Sequence, residues 1–115
     1  MGQAPVLLLH HVGRKSGHQR VTPVLFMADG ERLVVVGSKG GASRNPAWYI
    51  NLMAAPVTQV EVGRRSLRVQ ARALEGAERD AYWPRLVKLY PSFATYQQRT
   101  ERRLPVVALD PVSSH

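Results

Sequence analysis

Arg20-Val-Thr-Pro-Val-Leu-Phe-Met-Ala-Asp-Gly-Glu-Arg-Leu-Val-Val-Val36 decides the fold class. Residues 20–27 alternate in part, Asp29-Gly30 is a tight-turn dipeptide, and residues 32–36 form a largely β-branched run, so the stretch predicts two strands joined by a hairpin. Upstream, Val6-Leu-Leu-Leu-His-His11 is a short apolar run closed by Gly13-Arg-Lys-Ser-Gly17, a further strand and turn. Downstream, the run 32–36 stops at Gly37-Ser-Lys-Gly-Gly41. Asn45-Pro46 then reads as a helix N-cap followed by proline at the first helical position. The helix ends by Pro56 and buries Trp48, Leu52 and Met53. Residues 57–62 and 66–73 flank Gly63-Arg64 and alternate in polarity, which predicts a second hairpin with one face inward. Residues 75–90 have helical composition, with Glu78 and Asp80 early and Arg85 and Lys88 late, as the helix dipole prefers. Pro84 predicts a kink there or a helix that restarts at Trp83-Pro84. Residues 91–100 are expected to form a short helical turn or loop, and residues 104–109 a final strand.

The order β-β-β-α-β-β-α-α-β lacks the βα alternation of a dinucleotide-binding sheet. It predicts a single domain over residues 1–115, mainly β with helices, built as a small antiparallel barrel of six strands with helices packed at its openings.

The chain has 115 residues, 44% hydrophobic and 21% charged, which is ordinary globular usage and excludes extended disorder. No apolar run approaches the roughly 20 residues that cross a bilayer, and no leader pattern opens the chain, so a cytoplasmic location is expected. The absence of cysteine excludes disulfides, thiol catalysis and thiolate metal sites. Sixteen Lys and Arg against eight Asp and Glu give a net charge of +8, and this points to an anionic partner. The excess is spread along the chain rather than gathered in a basic tail. Thirteen of the sixteen are Arg, whose planar fork suits phosphate or carboxylate oxygens.

Several site signatures are absent. Residues 37–41 lack the Gly-Lys-Ser/Thr ending of a triphosphate loop, no G-x-G-x-x-G opens a helix, and no nucleophile elbow occurs. His10 and His11 are adjacent on a strand and point to opposite faces, and His18 has no acidic neighbour in sequence, so no metal site is expected. One inward histidine with a backbone partner and one exposed histidine are predicted instead. Two loops remain: Gly13-Arg14-Lys15-Ser16-Gly17 with Arg20 beyond, and Gly37-Ser38-Lys39-Gly40-Gly41 with Arg44 beyond. Glycines admit close backbone approach, serines add donors, and Lys and Arg add charge, a combination that suits phosphate. Ordinary surface turns with solvated basic side chains account for the same residues.

At these residues the chain resembles a known family. The run is Gly13-Arg-Lys-Ser-Gly17, Thr22-Pro23, Ser38-Lys-Gly-Gly41, Asn45-Pro-Ala-Trp-Tyr-Ile-Asn-Leu52, Tyr82-Trp-Pro84, Tyr90-Pro-Ser-Phe93, Tyr96-Gln97 and Arg103-Leu-Pro-Val-Val107. In this order and spacing it closely resembles the deazaflavin-dependent nitroreductase family, the coenzyme F-420-dependent reductases of actinobacteria. The resemblance spans Val6 to Pro111. It implies a split β-barrel of the flavin-binding type that holds F-420 in a groove and passes hydride to a second substrate. By the same resemblance, Arg14, Lys15, Ser16 and Arg20 contact the coenzyme's phosphodiester and oligoglutamate tail, and Lys39 is a second cation at the groove. Thr22 and Pro23 line the deazaflavin ring, while Ser38, Gly40, Asn45 and Trp48 shape the pocket. Asn45 and Trp48 are equally well explained as a helix cap and a core aromatic. Ser38, Tyr90 and Tyr96 are the implied catalytic group that hydrogen-bonds or protonates the acceptor oxygen. The cofactor itself carries the redox chemistry.

Two departures bear on the acceptor. Phe93 and Leu25 stand where the best-known nitroreductase of the family has tyrosines. The loss of two hydroxyls disfavours a nitroheterocycle and makes a quinone the expected acceptor. Family members also carry an N-terminal helical extension thought to touch the membrane surface. The chain given starts five residues before its first strand, so membrane association through that segment and the state of substrate binding are where a difference is expected. The alternatives are a split barrel that binds FMN or haem, an F-420 carrier without turnover, and a basic nucleic-acid-binding barrel. Against the last, most aromatics cluster in residues 82–96 and none is interleaved along a strand to stack bases. Monomer and homodimer are both compatible with the sequence.

Overall fold

The computed structural model describes residues 5–112. Six strands, β1 (Val6–Val12), β2 (Gln19–Asp29), β3 (Arg32–Val36), β4 (Val57–Val62), β5 (Arg65–Ala73) and β6 (Val106–Pro111), close into one barrel in the order β1-β2-β3-β6-β5-β4. Every pairing is antiparallel. The two hairpins fall where Asp29-Gly30 and Gly63 place them, and Gly30 and Gly63 both take the positive φ that such turns require. The described residues also form three α-helices, α1 (Ala47–Ala54), α2 (Gly76–Leu89) and α3 (Ser92–Gln98), and a short 3-10 turn at Lys39–Gly41.

Side chains of successive strand residues point to opposite faces, and the barrel buries two separate sets. Leu7, Leu9, Val24, Leu33, Val35, Val60, Val69, Val107 and Leu109 fill the interior, with Trp48 and Leu52 of α1 plugging one opening. The alternate residues of β3 and β6, Val34, Val36, Val106 and Ala108, point outward. They form a second core with Leu86 of α2 and Phe93 of α3. The expectation of helices at the barrel openings therefore holds for α1 alone. The other two helices cover the outer wall, because apolar runs without alternation, such as residues 33–36 and 106–109, need partners on both faces.

Two local expectations are corrected. α2 runs from Gly76 to Leu89 through Pro84 without restarting at Trp83-Pro84. The ring is exposed, and the packing of Tyr82, Trp83, Leu86 and Val87 on the wall outweighs the one lost backbone bond. Residues 92–98 form a helix, within the short helical segment expected over 91–100. Pro46, not Asn45, is the N-cap of α1, and no side chain caps it. The Asn45 side-chain oxygen instead accepts a 2.6 Å hydrogen bond from Arg102 Nη1.

Candidate functional site

Loop 13–18 joins β1 to β2 and closes on itself. The Gly13 N–H donates to the His18 carbonyl (3.0 Å), the Gly17 N–H to the Gly13 carbonyl (2.9 Å), and the His18 N–H to Ser16 Oγ (3.1 Å). Ser16 is thus engaged in its own turn. Arg14, Lys15 and Arg20 are exposed. Arg14 and Lys15 form one side of an open groove of about 380 Å3, whose other side is Ala47, Ile50 and Asn51 of α1. Ala47 is the first residue of that helix, so its free N–H groups add positive potential at the groove.

Loop 37–45 feeds directly into α1. Lys39, Gly40 and Gly41 are three consecutive residues at positive φ (42°, 62° and 81°), and Ser38 before them is right-handed. A right-to-left reversal of this kind turns successive backbone N–H groups toward one point, a concavity suited to an anion. The Gly41 and Ala42 N–H groups are used within the turn, bonded to the carbonyls of Ser38 and Lys39. Close packing fixes the loop from behind. A Cβ on Gly41 would stand 2.6 Å from the Tyr96 carbonyl oxygen, and one on Gly37 would stand 2.7 Å from Pro105 Cγ.

The two basic loops take no part in the ion pairs formed by the described residues. Among the described residues no carboxylate lies within ion-pair distance of Arg14, Lys15, Arg20, Lys39 or Arg44. Asp29, Glu78 and Asp110 gather instead with Arg32, Arg72 and Arg85 at the β2–β3 turn and the start of α2. There the forked Arg72 guanidinium holds Glu78 down to about 2.

The remaining candidates divide by face. Thr22 and Pro23 are neighbours on β2 and present their side chains to opposite sides of the wall. Thr22, half-buried, bonds inward to His11 Nε2 (2.8 Å), and Pro23 is exposed outside. Trp48 is buried inside the barrel, edge-on to Tyr49. Tyr90, Phe93, Tyr96 and Leu25 come together in the outer core under α2 and α3. Phe93 is buried edge-on to Tyr90, and the Tyr90 hydroxyl donates to the Phe26 carbonyl (2.6 Å). Burial pushes the Tyr90 phenol up, away from easy proton release. Tyr96 is half-buried, and its backbone lies against Gly41. The structure therefore brings Tyr96 to the Ser38 loop, and it ties the Tyr90 hydroxyl to the backbone.

The histidine expectation is corrected as well. His11 is buried, but its partners are side chains: Thr22 Oγ1 on one nitrogen and Asn51 Nδ2, at 3.0 Å, on the other. Burial, with Arg20 and His10 nearby, lowers its pKa and keeps the ring neutral. His10 is half-buried and bonds Glu61 at 2.6 Å. No three His, Asp or Glu side chains among the described residues form a metal-binding group.

Two residues carry more of this site than sequence reasoning assigned them. Asn51 lines the groove and orients His11. Its only signal in sequence is a polar residue on the apolar stripe of α1. Arg102 donates to four acceptors in loop 37–45. Nothing in sequence sets it apart from the other twelve arginines.

Comparison with known proteins places these features in context. The F-420H(2)-dependent quinone reductase family profile matches residues 1–111. A Mycobacterium tuberculosis relative, named as a candidate F-420H(2)-dependent quinone reductase, is 41% identical over 93% of this chain and 90% of its own length. Another protein of that species, named as an F-420H(2)-dependent quinone reductase, is 36% identical over 94% of this chain and 74% of its own length. Among solved structures, an F-420-H2 dependent reductase is 37% identical and superposes with a TM-score of 0.83, covering 92% of this chain and 94% of that one. A chain described as a domain-swapped dimer is 37% identical with a TM-score of 0.84, covering 92% of this chain and 80% of its own. A haem storage protein of Vibrio cholerae, 14% identical with a TM-score of 0.71, shares the fold alone.

Proposed function

The chain belongs to the F-420H(2)-dependent quinone reductase family, and we propose that it passes hydride from reduced coenzyme F-420 to a quinone, with the two basic loops holding the coenzyme's anionic tail. It is an oxidoreductase whose cofactor is F-420. The observation that supports this placement is the gathering of unpaired cations on the two loops. Five cations without carboxylate partners, the N-terminus of α1 and the reversed backbone at residues 38–40 lie on or beside the two loops, while Arg32, Arg72, Arg85 and Arg103 pair with carboxylates elsewhere. A polyanionic phosphodiester and glutamate tail fits that donor set.

Reduced deazaflavin supplies a two-electron hydride when bound. Arg14, Lys15 and Arg20 attract and fix the tail. Lys39 and the backbone at Gly40 would hold an anionic group of the coenzyme, and Asn51 lines the groove opposite Arg14 and Lys15. Pro23 offers an apolar edge on the outer face, the same side as Leu25 and Tyr96. Quinone reduction by hydride also requires one proton to reach the carbonyl oxygen, and Ser38 and Tyr96 are the hydroxyls that supply it or relay it from water. Tyr90 serves as a wall and a support, since its proton is committed to Phe26. Phe93 and Leu25 lie in the apolar core beside these groups, which favours a flat, weakly polar acceptor over a nitroheterocycle.

Titration of the protein into oxidised F-420 at low salt, followed by the coenzyme's fluorescence and run beside FMN, tests the reading. Saturable binding of F-420 and not FMN, with turnover of a menadione-type quinone by the reduced coenzyme, is the expected result. Preferential binding of FMN, or no F-420 binding, would overturn it.

A further inference from the structure

Arg102 sits in the linker between α3 and β6 and is half-buried. Its guanidinium reaches back more than fifty residues to one segment. Nε donates to the Ala42 carbonyl (2.7 Å), Nη1 to the Gly37 carbonyl (3.0 Å) and Asn45 Oδ1 (2.6 Å), and Nη2 to the Ser38 carbonyl (2.8 Å). All four acceptors are neutral, and they span the loop from its first residue to its last. Among the described residues no carboxylate pairs with Arg102. The linker that carries it is itself pinned: Gln97 Nε2 donates to the Arg102 carbonyl (2.8 Å), and the Leu104 N–H donates to Gln97 Oε1 (2.9 Å).

The segment so held contains Lys39 at φ 42°, a left-handed conformation that a residue with a Cβ adopts only where its surroundings force it. Strain of this kind persists when several contacts over-determine it, and the planar five-donor fork of arginine can meet acceptors in several directions at once. A lysine ammonium could reach only part of the set. The charge has a second effect. A guanidinium whose acceptors are all uncharged remains a net cation beside the loop, and its charge favours an anion held there.

We infer that Arg102 is the positioning residue of the cofactor loop: its guanidinium holds residues 37–45 in the strained conformation that Lys39 and Gly40 need to grip the anionic group of F-420. This rests on the reading of that loop as part of the F-420 site. Arg102 does not touch the reacting atoms, and its removal acts through the loop.

The test compares wild type, Arg102→Lys, Arg102→Ala and Gln97→Ala in two measurements, amide hydrogen exchange without cofactor and F-420 affinity by fluorescence. In Arg102→Lys the Gly41 and Ala42 amides are expected to exchange at least about tenfold faster while β3 and β6 amides stay protected, and F-420 affinity is expected to fall about tenfold or more. Guanidinium ion should restore part of the affinity of Arg102→Ala where the same concentration of sodium ion does not. Gln97→Ala, which loosens the linker without touching the loop, should lose about threefold and stands in if the arginine variants fail to fold. Wild-type affinity and loop protection in the folded variants would overturn the inference and leave the cofactor reading intact. Failure of wild type itself to bind F-420 would instead overturn the reading on which it rests.

Discussion

The two basic loops have similar composition and opposite construction. Loop 13–18 is held by three short-range hydrogen bonds of its own, and space lies open around Gly17. Loop 37–45 is held by distant parts of the chain: α3 presses on Gly41, Pro105 on Gly37, and Arg102 ties the ends together. Glycine, serine and basic residues therefore serve two purposes. In the first loop glycine relieves turn geometry and the charges of Arg14 and Lys15 stay exposed. In the second, glycine admits close approach by backbone, and the backbone that carries Lys39 is placed with little latitude.

The largest effect separating the loops is expected at their glycines. Gly41→Ala puts a methyl 2.6 Å from the Tyr96 carbonyl oxygen and 2.9 Å from Arg99 Cβ at a φ of 81°. It should destabilise the protein by about 3 kcal/mol in denaturant unfolding. Charge removal in the first loop comes next. Arg14→Ala and Lys15→Ala should each weaken F-420 binding about tenfold at low salt, and less at high salt, with unfolding midpoints unchanged. Gly17→Ala also has a positive φ (71°) but meets nothing within 4 Å, so it should cost about 1 kcal/mol, a third of the Gly41 effect. Equal costs at the two glycines would erase the distinction.

The smallest effect concerns His11, beneath the first loop. Its folded-state pKa lies below the ordinary value, so between the two values the unfolded chain binds more protons than the folded one. Its contribution to stability is therefore complete above about pH 6.5 and declines as the pH falls below it. Urea midpoints measured at about pH 7.5 and pH 5.5 should show this decline, and His11→Gln should reduce it.

Most of the fold was legible because its signals are local. Asp29-Gly30 and Gly63 mark the hairpins, and the alternation of β5 shows which face is inward. The unbroken apolar runs of β3 and β6 carried a further message, burial on both faces, that explains why α2 and α3 lie on the wall. The two loops were legible from residue type and order. Their supports were not, because a backbone carbonyl leaves no mark in sequence. Arg102 finds three of them more than fifty residues away, and Asn45 is drawn from a capping role by the same guanidinium. The partners of His11 on β2 and α1 were hidden for the same reason, since only the closed barrel brings Thr22 and Asn51 to one ring.

The barrel order has a consequence for assembly. β6 lies between β3 and β5 although residues 106–111 follow the other described elements, and apart from it the two halves of the barrel are joined through the β1–β4 seam, where Leu8 and Leu9 pair with Glu61 and Val60 and His10 bonds Glu61. A nascent chain on the ribosome can form its hairpins one after another, but it cannot close the cylinder until residues 106–111 emerge. Until then Val34, Val36 and Leu109's future neighbours stay wet, so the late step is the slow one and the moment of greatest exposure to aggregation.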